Sequence, residues 1–139
     1  MARSSRKARR LIVGDATFRW SVGHLHDVTE GPAGRYRDCR ETLTLRRDGA
    51  PGRLLLVFGG AAGRLVPDGI LESGAVGTTG GTWLNLHEPG AVRALLDEAR
   101  ARGWRPEDPV AAEADGWPLF DTVTARRAAA RSEAEGQPD

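Results

Sequence analysis

The sequence predicts an α+β fold: a single domain with an antiparallel β-sheet of about five or six strands and two C-terminal helices packed against it. Three observations carry this reading. Apolar and polar residues alternate along 16–26, 41–47 and 82–87, the period of strands buried on one face. Turns rich in glycine and proline separate those runs, and the clear helical period begins late, at Pro89. The chain has 139 residues, enough for one domain that buries roughly two-thirds of its unfolded surface.

Residues 1–10 carry Arg3, Arg6, Lys7, Arg9 and Arg10 with little apolar content, and are expected to form a disordered basic arm. The domain proper is expected over 11–127, with a frayed polar tail over 128–139. Leu11 to Val13 is a short strand, and Gly14-Asp15 is a two-residue hairpin signal. The return strand, 16–26, places Phe18, Trp20 and Val22 on one face and Thr17, Arg19 and Ser21 on the other. Residues 27–38, with Gly31-Pro32 and Gly34, read as a loop. A strand over 41–47 follows, with Leu43 and Leu45 inward. After the turn at 48–52, the continuous apolar run 54–58 suggests a strand covered on both faces, or on one face plus an interface.

Residues 59–81 contain eight glycines and read as a long irregular segment, of a kind often used for binding, with Ala75-Val76 as its one short strand. Leu84 and Leu86 point inward from the next strand. Pro89 suits the first position of a helix, where its missing N–H leaves nothing unpaired. Val92, Leu95, Leu96 and Ala99 form the buried stripe, with Arg93, Asp97, Glu98 and Arg100 in solvent. Gly103 and Trp104 are placed to close a Schellman cap, and Pro106 prevents a restart. Residues 107–114 are acidic and broken by proline. A second helix starts near Trp117-Pro118, with Leu119, Phe120 and Val123 apolar.

His24 and His26 stand two apart on a strand, so both imidazoles face one way. Neighbouring strands can complete a transition-metal site there, with His87 and Cys39 as conceivable further ligands. The plainer reading is a pair of histidines at a strand end, and no cofactor is expected. Cys39 lies among Arg37, Asp38 and Arg40, a basic setting of the kind that activates a thiol, yet it shares parity with Leu43 and Leu45 and should be buried. The run from Val57 to Gly63 looks like a nucleotide loop, but it has no GxGxxG register and no Lys-Ser/Thr pair. Trp83, Asn85 and His87 form the outward set of their strand, an aromatic plate with an amide and an imidazole suited to a ligand or partner. No carboxylate pair has the spacing of an acid–base catalyst, and no catalytic residue is assigned.

Arginine supplies nearly all the cations, with Lys7 the single lysine, a pattern expected of a GC-rich genome. Residues 1–50 carry eleven basic and six acidic side chains, net +5; the remainder carries nine and thirteen, net −4. That polarity suits electrostatic association. No apolar run approaches the roughly 18 residues of a bilayer span. The single cysteine leaves no intramolecular disulfide, which fits a cytoplasmic setting.

The strand Phe18-Arg19-Trp20-Ser21-Val22, the Cys39-Arg40-Glu41 strand start, and Leu84 to Gly90 running into Gly103-Trp104-Arg105-Pro106 together resemble a loose group of small, uncharacterised actinobacterial-type α+β proteins. The resemblance covers most of 10–124. It implies a sheet with helices packed on it and implies no activity. The expectation is therefore a non-catalytic accessory or immunity-type module that binds another protein, or a second copy of itself through the apolar strand. The alternatives are a small-ligand or metal-dependent enzyme using the His24/His26 face, and nucleic-acid binding through the basic arm, the less favoured of the partners. No membrane association is expected.

Overall fold

The computed structural model describes residues 8–28, 36–67 and 72–136, without the side chains of 26–28 and 36–38. The elements run β1 (Arg9–Val13), β2 (Ala16–Val28), β3 (Tyr36–Arg47), β4 (Arg53–Gly59), β5 (Arg64–Leu65), β6 (Ala75–Thr78), β7 (Trp83–Asn85), α1 (Pro89–Ala101), β8 (Ala112–Asp115) and α2 (Trp117–Gly136). The α+β class stands. The strands fall into two sheets: a five-stranded one ordered β1-β2-β3-β4-β8, and a three-stranded one ordered β5-β6-β7.

The large sheet begins as a meander. Gly14, at φ 63°, turns β1 back onto β2, and Val13 pairs with Ala16. Positive φ is where glycine is free of the Cβ penalty, so the two-residue turn closes as expected. β2 and β3 pair further than the alternation indicated. Residues 27–28 and 36–38 are strand, and 29–35 of the expected 27–38 loop lie outside the described residues. The basic arm is shorter too: Arg9 and Arg10 belong to β1, because pairing with Trp20 and Arg19 satisfies their backbone. Residues 1–7 of the arm lie outside the described residues.

β8 arises at the end of the stretch 107–114, which the sequence marks only as acidic and broken by proline. Ala-Glu-Ala-Asp has poor strand propensity, but Leu54 to Val57 offer an unpaired edge, and β8 joins it in parallel. The run 54–58 is not covered equally on both faces. Leu54, Leu56 and Phe58 are buried, whereas Leu55 and Val57 are only partly so.

One face of the large sheet is the core face. Phe18, Trp20, Val22, Leu43, Leu45, Leu56 and Phe58 meet Val92, Leu95 and Leu96 of α1, Phe120 and Val123 of α2, and Val76, Leu84 and Leu86 of the small sheet. The α1 stop is as expected. Gly103 takes φ 107°, its N–H donates to the Arg100 carbonyl at 3.0 Å, and Trp104 N–H donates to the Ala99 carbonyl at 3.0 Å. These are the two bonds of the Schellman motif. α2 does not fray near Ala128; it runs to Gly136 with its last turns exposed. Alanine, arginine and glutamate are strong helix formers, which offsets the lack of burial there.

Glu98 corrects the reading of the α1 solvent face. It is buried, because α2 packs over it and supplies Arg126 Nη1 at 2.8 Å from one carboxylate oxygen, while Arg102 Nε reaches the other at 2.7 Å. Hydrogen bonding by Arg102, opposed by burial and helped by the charge of Arg126, holds its pKa below the usual value. Asp121, held by Arg64, and Asp48, held by Arg19, are lowered by the same kind of contact. A carboxylate lowered in the fold contributes stability that is present above its unfolded pKa and lost as pH falls through the folded value. The melting temperature should therefore be level above about pH 5 and drop on acidification below about pH 4. In Glu98→Gln that acid slope should be visibly shallower in a calorimetric pH series. An unchanged slope would show that Glu98 does not contribute.

No described helix is long and apolar enough to cross a membrane.

Candidate functional site

Two places concentrate polar chemistry. The first lies inside, where the small sheet meets the core face. On β3 the odd-numbered side chains Cys39, Glu41, Leu43 and Leu45 form the inward row. Glu41 is thus a carboxylate in a core position, 0% exposed. Its cross-strand partner is His24, whose Nδ1 lies 2.6 Å from Glu41 Oε1. The other oxygen, Oε2, accepts the Gly74 N–H at 2.6 Å. Gly74 sits at φ 84° between Glu41 and the His87 ring; a Cβ there would lie 2.6 Å from His87 Cδ2. Ser73 Oγ and His87 Nε2 are 3.1 Å apart. Further bonds secure the same corner. Trp20 Nε1 donates to the Leu86 carbonyl at 3.1 Å, and Arg9 donates to the His87 carbonyl at 2.6 Å with its guanidinium 4.7 Å from the Trp20 ring.

A serine beside a histidine and a histidine beside a carboxylate have the elements of acid–base or nucleophilic chemistry. The geometry assigns Glu41 another role. Both of its oxygens are taken, and none of it is open to a substrate. The bond from the Gly74 N–H ties the turn that feeds β6 to the middle of the large sheet, and the bond to His24 fixes the carboxylate from within that sheet. Glu41 and His24 form a clasp.

The sequence-nominated residues are not gathered into one site. His24 engages Glu41, and the His26 side chain lies outside the described residues. Among the described residues no group of three or more His, Cys, Asp or Glu side chains could hold a metal ion. Cys39 is buried, as its parity required. Trp83 and Asn85 border a groove of about 530 Å³ between β7 and α2, which Thr124, Arg127 and Arg131 complete. Trp83 is 43% exposed and leans on Gly77, where a Cβ would lie 2.4 Å from its ring. His87 is turned to Ser73 instead of into that groove.

The second place is the face of the large sheet opposite the core, and sequence reasoning missed it. Residues directly opposite across antiparallel strands share a face. Arg10 pairs with Arg19, Arg19 with Arg46, and Arg46 with Arg53. Four arginines therefore stand in one row across β1, β2, β3 and β4, spanning about 14 Å at the usual strand spacing. Asp48 makes a bidentate bond to Arg19 at 3.1–3.2 Å, and its pKa is lowered chiefly by that bond, with the charges of Arg19, Arg46 and Arg10 contributing. The neighbouring rows are small and polar: Ser21 beside Thr44, then Gly23 beside Thr42. A basin of about 420 Å³ lies over Arg19, Arg46 and Arg53, walled by the 50–52 turn and by Pro109 and Ala111. That wall is set by Gly52, whose N–H donates to the Pro106 carbonyl at 2.7 Å in a backbone approach too close for a side chain. Ile12 and Leu25, 60% and 48% exposed, lie on the same face. The turn at Gly14-Asp15 already placed Arg10 opposite Arg19; the missing signal was the β2–β3 register.

No protein-family model, curated protein or solved structure matches this chain.

Proposed function

We propose that the chain is a non-catalytic interaction module that binds another protein through the open face of its large sheet, and that this partner presents acidic side chains to the arginine row. The observation that carries the reading is the row itself. Like charges directly opposite on a sheet oppose folding, and among the described residues Asp48 accepts hydrogen bonds from Arg19 alone of the four. An acidic partner converts that repulsion into attraction on binding. Exposed Ile12 and Leu25 add the apolar contact that protein interfaces combine with charge. Phosphate backbone suits the face less well. Glu113 and Asp115 are exposed on the adjoining strand β8, and no aromatic side chain among the described residues of this face offers a base a stacking platform.

The test is capture of partners from the native host on immobilised protein, with nuclease present, beside titration of a polyglutamate peptide by fluorescence anisotropy. Wild-type protein should retain one stoichiometric acidic protein and bind polyglutamate with an affinity that falls as salt rises. The double variant Arg46→Glu/Arg53→Glu should lose both, by at least about a hundredfold in affinity. Retention of nucleic acid alone, removed by nuclease, would replace the protein partner with a nucleic acid. Equal binding by the variant would remove the face from consideration.

A further inference from the structure

The open face of the large sheet carries both signs of charge. Its arginine row ends on β4 at Arg53, and the next strand, β8, turns Glu113 and Asp115 to the same face, level with Leu55 and Val57. Both carboxylates are exposed, as are Arg46 and Arg53. The two charged lines are perpendicular: the arginines run across the strands, and the carboxylates run along one of them. In the angle between them stand Leu55 and Val57, each only partly buried, beside the small side chains of Ser21 and Thr44. The helices and the small sheet cover the opposite face of β4, so nothing among the described residues packs on these two apolar side chains from above.

Perpendicular lines of opposite charge make a face complementary to itself. Across the strands, Arg53 lies about 5 Å and Arg46 about 10 Å from the line of β8. Along β8 from the level of the row, Glu113 lies about 7 Å away and Asp115 about 13 Å. A two-fold axis lying in the face, along the diagonal between the lines, exchanges one with the other. It brings Arg53 of each copy over Glu113 of the other, and Arg46 toward Asp115, with offsets of about 2–4 Å that a long arginine side chain takes up. Asp115 keeps its charge for this role while one of its oxygens accepts the Trp117 N–H at 3.0 Å. Leu55 sits beside the axis and meets its own counterpart. The two sheets then cross near a right angle, one of the two usual arrangements for sheets packed face to face.

We propose that in the free protein this face is closed by a second copy of the chain, in an isologous dimer centred on Leu55 and held by the Arg53–Glu113 pair, which symmetry makes twice. The proposal rests on the reading of this face as an interface, and it gives the acidic partner a competitor. The patch measures roughly 20 Å each way. That is small for a permanent dimer, so the association is reversible and a more acidic partner displaces the second copy.

The test is a charge-reversal cycle on the full chain, read by sedimentation velocity over a series of protein concentrations. The wild type should pass from monomer to dimer, with no larger species, and should dissociate as salt rises. Arg53→Glu and Glu113→Arg should each weaken the dimer at least about tenfold, since each change acts twice and sets like charges together. Mixed in equal amounts, the two variants should form a heterodimer, because each reversed charge then faces the other. Arg53→Glu/Glu113→Arg in one chain should dimerise like the wild type. Such recovery cannot come from variants that have lost their fold. A wild type that stays monomeric, single variants that dimerise equally well, or a mixture as dissociated as its components would each overturn the proposal. Titration with polyglutamate separates this inference from the reading beneath it. Salt-sensitive binding to a monomeric wild type would remove the dimer alone and keep the acidic partner; absence of both would remove the face. Where the dimer forms, polyglutamate should dissociate it, and a dimer that polyglutamate leaves intact would overturn the displacement.

Discussion

Glu41→Ala is expected to destabilise the fold by roughly 3–5 kcal/mol, from a buried donor left without its acceptor together with the space left by a large-to-small change in the core. Three losses coincide. The Gly74 N–H loses its acceptor, the His24 ring loses its partner, and a space opens in a position that is 0% exposed. Against a total stability of about 5–15 kcal/mol for a domain, the variant should unfold at a much lower denaturant concentration. Glu41→Gln should cost less, because an amide oxygen still accepts from Gly74. Hydrogen exchange at the Gly74 amide distinguishes a clasp from generic core damage: protection should fall in Glu41→Ala well before the β2–β3 amides open. Should Glu41→Ala lie within about 1 kcal/mol of the wild type, the clasp would not be holding the two sheets together.

Gly116→Ala should be nearly as damaging for a different reason. A Cβ there would stand 2.5 Å from two carbons of the Phe58 ring. Phe58 cannot retreat. It is 0% exposed and meets Trp117 edge-on at 5.3 Å, and Trp117 in turn meets Phe120 at 5.1 Å and donates to the Gly59 carbonyl at 2.8 Å. Gly116 is pinned as well, its N–H bound to the Val57 carbonyl at 2.8 Å. Overpacking a site with no slack costs about 3 kcal/mol, or on the order of 10 °C in melting temperature for a domain of this size. Shrinking the obstacle should return part of the loss, so Phe58→Leu combined with Gly116→Ala should fall short of the summed single effects by more than about 0.5 kcal/mol. Strict additivity would show that the ring is not what the added methyl meets.

These two residues also mark where sequence was readable. The inward row of β3 was in view through Leu43 and Leu45, and parity alone extends it to Glu41. A carboxylate that opens a strand reads as a polar boundary, which hides its burial. The α1 cap was legible to the residue, since proline, stripe, glycine and tryptophan each act within one turn. Glu98 was not, because its burial depends on α2, twenty-eight residues away at Arg126. The second sheet and β8 were beyond reach for a related reason. β5 and β8 have two and four residues, too few for a period to register, and they are strands only because a partner is already in place; β6 and β7 fall within the strands expected at 75–76 and 82–87, but nothing in their period sets them apart in a sheet of their own. The arginine row belongs to the same class: each arginine is an ordinary outward residue until register aligns them.

The strand order has a consequence for self-association. The outermost strands of the large sheet are β1, carrying Arg9 and Arg10, and β8, carrying Glu113 and Asp115. Two copies meeting edge to edge about a two-fold axis would set arginines against arginines or carboxylates against carboxylates. The attractive pairing is β1 of one copy with β8 of the next, a heterologous contact that leaves both outer ends free and propagates instead of closing. Both edges are short, four or five residues, and short charged edges are the usual guard against such growth.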